Sequence, residues 1–134
     1  MISDNRGMIT VYGIPNCDTV KEALTWLDTH KVKYQFHDFK KEGIEAKTMD
    51  AWIAAVGWEA LMNKKGATWR RLDTSMQLGI RDANSARGLM LAHTSVIKRP
   101  VVQWSMGTKA KPEKASKENT TVGFDEALWA ARIA

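Results

Sequence analysis

The chain holds a single cysteine, Cys17, in 134 residues, so no disulfide can close within it and any oxidation must involve an outside thiol or a second chain. No uninterrupted apolar run approaches the ~18 residues of a membrane span, which excludes a transmembrane helix. The opening stretch Met1 to Gly7 is polar and lacks the apolar segment of a secretory signal. It reads as a flexible N-terminal segment of a cytoplasmic protein. His30, His37 and His93 are scattered without ligand spacing, and one cysteine cannot build a structural zinc site, so no metal is expected. A Gly-rich phosphate loop of the usual spacing is missing too, and no internal repeat is visible.

What the chain does contain is ordinary for a globular domain. Apolar residues make up 44% and charged residues 26%, which places it outside the disordered class. At this size folding buries ~68% of the unfolded surface, enough for a core without disulfides or metals. The net charge of +5 favours anionic partners without naming nucleic acid. Part of the excess is local: Lys109, Lys111, Lys114 and Lys117 fall in one Gly/Pro/Ser/Thr-containing stretch, read as a solvated hairpin loop over about 106–119.

Periodicity gives the organisation. Met8 to Tyr12 is a β-branched and aromatic run closed by Gly13 and Pro15, as expected of a strand and a tight turn. Asn16 offers a cap, and Val20, Ala23, Leu24 and Leu27 recur at helical spacing over about 17–30. Tyr34 to Phe39 reads as a second strand, which completes a β-α-β unit. Met49, Trp52, Ile53 and Val56 form another helical stripe ending at Gly57. Shorter helices are predicted over Glu59–Asn63 and Thr68–Leu72, and Asp82 caps a helix carrying Ala86, Leu89, Met90 and His93. Pro100 then precedes a third strand bearing Val101, Val102 and Trp104, Thr121 to Phe124 suits a fourth, and Asp125 caps a final helix with Leu128 and Ala131. The order predicts one α/β domain over 8–134: a mixed four-stranded sheet with helices on both faces and a helical insertion over about 45–95.

Cys17 lies where the first strand turns into a helix, so the unpaired N–H groups of the helix start point toward its sulfur and favour the thiolate. Lys21, one turn on, adds to that pull; Asp18 opposes it and competes for the same N–H groups. The alternative is an inert, buried cysteine, since free cysteine is among the most buried residue types. Lys64 and Lys65 interleave with Trp69, Arg70 and Arg71, a pattern that suits either a nucleic-acid surface or, the better reading, a solvated helix face with one buried tryptophan.

Tyr12-Gly13-Ile14-Pro15-Asn16-Cys17-Asp18-Thr19-Val20-Lys21, then Phe36-His37-Asp38-Phe39 and later Lys98-Arg99-Pro100-Val101, resembles the ArsC family and most closely its YffB subgroup. The ordered set over nearly the whole chain carries the likeness. The resemblance implies a thioredoxin-like fold with a helical insertion, a nucleophilic Cys17 at the start of the first helix, and a cis-proline, Pro100, facing it. It also implies an anion- or glutathione-binding set of Arg99, Pro100, Lys21, Thr19 and Asn16, with Arg99 suited to the task by its fork of donors.

Arsenate reductases of the glutathione-dependent type use two further arginines, and this sequence departs at both: Asn63 stands at the first place, and the region near Gly123 offers none for the second. The implied activity is therefore that of a glutathione-dependent thiol reductase, a monomer with no bound cofactor. Glutathione is its co-substrate, its substrate is a small thiol, disulfide or oxyanion, and glutaredoxin is a further partner; neither a membrane nor a nucleic acid is expected as one. Two alternatives stand beside it. One is a Spx-like, non-catalytic protein-binding regulator, although Val20 occupies the second position of the Cys-x-x-Cys switch found in that branch. The other is a weak glutathione- and glutaredoxin-dependent arsenate reductase.

Overall fold

The computed structural model describes residues 9–104, 117 and 119–133. The segment 1–7 and nearly all of the lysine-rich stretch read as a hairpin loop lie outside them.

Strand β1 (Ile9–Gly13) leads through α1 (Asp18–Thr29) into the parallel strand β2 (Tyr34–Asp38). Six helices follow: α2 (Phe39–Glu42), α3 (Ala46–Val56), α4 (Trp58–Leu61), α5 (Ala67–Arg71), α6 (Thr74–Leu78) and α7 (Ala83–Ala92). A 3-10 turn at Thr94–Val96 brings the chain to β3 (Val101–Gln103), β4 (Thr120–Val122) and α8 (Glu126–Ile133). The sheet order is β2-β1-β3-β4, with β3 antiparallel to both β1 and β4. It is the mixed, four-stranded thioredoxin-like sheet that the sequence predicts.

Alternation along the strands divides the interior in two. Ile9 and Val11 of β1 join Val102 of β3 on one face, where they meet Ala23 and Leu27 of α1 and Trp129 of α8. Tyr12 and Val101 belong to the other face, packed with Met49 and Trp52 of α3, Leu61 of α4 and Met90 of α7. The helices between β2 and β3 thus cover one sheet face while α1 and α8 cover the other.

Local chemistry sets the helix ends. Asp82 accepts from Ser85 N–H at 2.9 Å and Ser85 Oγ accepts from Asp82 N–H at 3.2 Å, a reciprocal box at the start of α7. Gly57 ends α3 at φ 89°, in the left-handed region that favours glycine.

The boundaries differ from expectation in instructive places. Phe39 leaves the second strand to open α2, because the Asp38 carboxylate accepts from Lys40 N–H at 2.8 Å and caps a new turn. The helix predicted over Glu59–Asn63 stops at Leu61; Met62 pairs instead with Ile97 in an isolated antiparallel bridge. The α6 turn has no counterpart in the predicted elements; Asp73 caps it by accepting from Met76 N–H at 2.8 Å. The fourth strand begins at Thr120 and ends before Gly123, whose φ of 88° turns the chain toward α8.

Candidate active site

The sheet places the site. Because β1 and β3 run antiparallel with Tyr12 opposite Val101, the segment leaving β1 and the segment entering β3 lie at the same end of the sheet. The first carries Cys17, the second Arg99 and Pro100, joined by a cis peptide bond. Gly13, the last residue of β1, lets this end close: a Cβ there would stand 2.9 Å from Val20 Cγ2, so α1 packs against bare backbone.

Cys17, not Asn16, takes the N-cap position of α1. Its extended backbone (φ −146°, ψ 122°) sends the carbonyl oxygen into the helix, where Lys21 N–H donates to it at 2.9 Å. The side chain makes no cap hydrogen bond of the kind a serine makes, and Asn16 is exposed one residue ahead. The sulfur is partly exposed and packs beside the core that contains Tyr12.

Burial pushes the Cys17 thiol up, but its neighbours more than offset this and hold it below the ordinary thiol value. The Val20 amide at the start of the helix and the Arg99 side chain, through its donors and its charge, favour the thiolate, and the Thr19 amide adds to them. Neither the Lys21 ammonium nor the Asp18 carboxylate is among the groups that shift the sulfur. Both side chains are exposed on α1, where water screens them, whereas Arg99 is half-buried against the thiol.

Arg99 is held from behind. Its Nη1 donates to the Ser95 carbonyl oxygen at 2.8 Å and to that of Ile97 at 3.2 Å, and among the described residues no carboxylate pairs with it. Pro100 is buried, and its carbonyl oxygen accepts from Gly123 N–H at 2.8 Å, fastening the turn to the end of β4. The two carbonyls that orient Arg99 escape sequence reasoning, since backbone acceptors carry no residue signature.

The remaining candidates lie elsewhere or serve other contacts. His30 stacks on Trp26, His37 bonds the Gly43 carbonyl oxygen at 2.6 Å, and no histidine is among the groups shifting Cys17. Among the described residues no group of three or more His, Cys, Asp or Glu is placed to hold a metal. Lys64 lies over both Trp58 and Trp69, 5.9 and 5.4 Å from the ring centroids, so the basic and aromatic residues of the insertion engage each other. No helix among the described residues is long and apolar enough to cross a membrane.

A cysteine at the start of the first helix, with a cis-proline at the same end of the sheet, defines a thioredoxin-like protein. The chain belongs to the ArsC family, whose model it matches over residues 12–131. It is 40% identical to a YffB protein of known structure, over 95% of this chain and all of that one, with a TM-score of 0.80. An arsenate reductase (ArsC) related protein from Brucella melitensis is 41% identical over 95% of each chain, with a TM-score of 0.68. An uncharacterized protein of Haemophilus influenzae is 39% identical over 95 residues, 71% of this chain and 82% of that one. The YffB likeness places the chain in that subgroup of the family.

Proposed function

We propose that the protein is a glutathione-dependent thiol reductase in which Cys17 is the sole nucleophile. The observation that carries this reading is the Cys17 thiol held below its ordinary value by the Val20 and Thr19 amides and by Arg99. In the first step the Cys17 thiolate attacks the glutathione sulfur of a mixed disulfide; a Cys17–glutathione disulfide forms and the substrate leaves as a thiolate, which takes a proton from water. In the second, a glutathione thiolate attacks that same glutathione sulfur, oxidised glutathione departs and the Cys17 thiolate is restored. Only the incoming glutathione sulfur is oxidised, from thiol to disulfide level, and one substrate sulfur is reduced from disulfide to thiol level, so the electrons balance. With one cysteine in the chain, the resolving thiol comes from outside: glutathione itself or a glutaredoxin.

Arg99 and the amide of Thr19 hold negative charge beside the sulfur, and Pro100 presents the adjoining backbone to an extended cysteinyl peptide. Lys21 and Asn16, both exposed at the rim, receive the glutathione carboxylates. We place this chemistry in the cytoplasm, where glutathione is kept reduced, and in a monomer without bound cofactor.

A thiol substrate is favoured over arsenate by what Asn63 does. Its Oδ1 accepts from Lys65 N–H at 2.9 Å, and its amide nitrogen would stand 3.0 Å from a Cβ on Gly66. The side chain is folded into its own turn, and it carries no charge to bring to an oxyanion.

Intact mass measurement after incubation with oxidised glutathione at several pH values tests the reading. We expect a single glutathione adduct on Cys17, formed below pH 7, removed by reduced glutathione and missing from Cys17→Ser. An adduct that appears only after denaturation overturns it.

A further inference from the structure

We propose that Thr68 and Ser95 form a latch through which the helical insertion sets Arg99 against the Cys17 sulfur, making both of them positioning residues for the reaction. The inference rests on Cys17 acting as the nucleophile.

The chain of contacts begins in the insertion. The hydroxyls of Thr68, on α5, and Ser95, in the 3-10 turn, meet at 2.6 Å in a partly buried setting. Ser95 is also the residue whose carbonyl oxygen accepts the shorter of the two Arg99 Nη1 bonds, at 2.8 Å. Fixing the Ser95 side chain therefore fixes the carbonyl that aims the guanidinium. Backbone bonds hold the rest of the segment: Asn63 N–H donates to the Val96 carbonyl oxygen at 2.7 Å and Lys98 N–H to that of Leu61 at 2.6 Å. Ser95 lies upstream of both, so the hydroxyl pair holds the part of the segment that those two bonds leave unpinned.

The identity of the Arg99 partners matters as much as their position. A carboxylate would orient the guanidinium but cancel its field at the sulfur. Neutral carbonyls orient it and leave the charge intact. The arrangement therefore directs the whole positive charge of Arg99 at Cys17, on the condition that the 3-10 turn stays in place. Asp18 and Lys21 follow Cys17 on α1, and Arg99 approaches from the β3 side. Lys98 adjoins Arg99, and Lys65 and Arg70 flank the latch, with Arg70 donating to the Lys65 carbonyl oxygen at 3.0 Å. None of these but Arg99 shifts the thiol.

The pH dependence of Cys17 alkylation by iodoacetamide, in the full chain, tests the latch. In Thr68→Val and Ser95→Ala the reactivity midpoint should move to higher pH, with the rate at pH 6.5 falling roughly two- to fivefold and the high-pH plateau unchanged. Thr68→Ser keeps a hydroxyl and should follow the wild-type profile. In an Arg99→Lys background, Thr68→Val should add no further shift, because the latch acts through the guanidinium. Midpoints equal to wild type in Thr68→Val and Ser95→Ala, with or without a lower melting temperature, overturn the latch while leaving the nucleophile in place. Should Thr68→Val fail to fold, Ser95→Ala decides alone, as it only trims a hydroxyl from the same pair. A wild-type midpoint at the ordinary thiol value removes the activated nucleophile, and the latch with it.

Discussion

Arg99 reaches the Cys17 sulfur as a cation whose remaining hydrogen bonds go to uncharged carbonyls. That pairing joins two segments far apart in the chain, and it makes the thiol answerable to a residue outside its own loop.

Removing the guanidinium should therefore disarm the sulfur without unfolding the protein. Arg99→Ala is expected to move the alkylation profile to higher pH and slow the reaction at pH 7 by roughly three- to tenfold. Arg99→Lys should recover part of the loss, since an ammonium restores charge but not the fork of donors. Stopped-flow alkylation across pH 5 to 10 measures both.

The same relationship ties stability to pH. A thiol held below its ordinary value of 9.0 sheds its proton earlier in the folded chain than in the unfolded one. Its contribution is thus fully present above the unfolded value and disappears as pH falls through the folded one. The stability difference between wild type and Cys17→Ser should grow as pH rises toward 9, and urea midpoints taken at half-unit steps would show a flat difference if the sulfur were unperturbed.

Two glycines should resist substitution for different reasons. At Gly13 an added Cβ meets Val20 Cγ2 at 2.9 Å, a stiff β-branched side chain, so Gly13→Ala should cost about 1–3 kcal/mol through overpacking and slow Cys17 alkylation by displacing α1. At Gly57 a Cβ meets nothing within 4 Å, but φ is +89°, so Gly57→Ala should cost about 1–2 kcal/mol through the backbone alone and leave Cys17 unaffected. Chemical denaturation paired with alkylation rates separates the two.

Two buried tryptophans should differ in the same way. Trp104 Nε1 donates to Thr121 Oγ1 at 2.8 Å, whereas Trp129 Nε1 has no acceptor among the described residues. Each substitution to phenylalanine loses similar volume, but only Trp104→Phe leaves a buried hydroxyl without its donor, a difference of about 1 kcal/mol. Equal losses in urea denaturation would contradict the hydrogen-bond assignment.

Much of the architecture could be read in the sequence because its signals are local. Val20, Ala23 and Leu27 announce the buried stripe of α1, Asp82 announces α7, and Gly57 the end of α3. The misjudged boundaries fall on apolar residues that suit strand, helix or bridge alike: the Asp38 cap takes Phe39 out of the strand, and pairing with Ile97 takes Met62 out of the helix. At the site, Cys17 was legible from its place between strand and helix. The part played by Arg99 came from likeness to a family, because nothing in the spacing of residues 17 and 99 brings them together. Lys21 is close to Cys17 along the helix but exposed, and water screens its charge.

The pairing of Tyr12 with Val101 acts as a ruler laid across the middle of the sheet. It fixes the separation of the backbone segments that carry Cys17 and Arg99 by strand register, whatever the length of chain looped between them. Lengthening such a loop raises the entropy of closure only logarithmically. Outside the contacts that hold Arg99, the helices of the excursion are thus at liberty to drift in length and surface over evolutionary time, acquiring new associates while the two segments keep their separation.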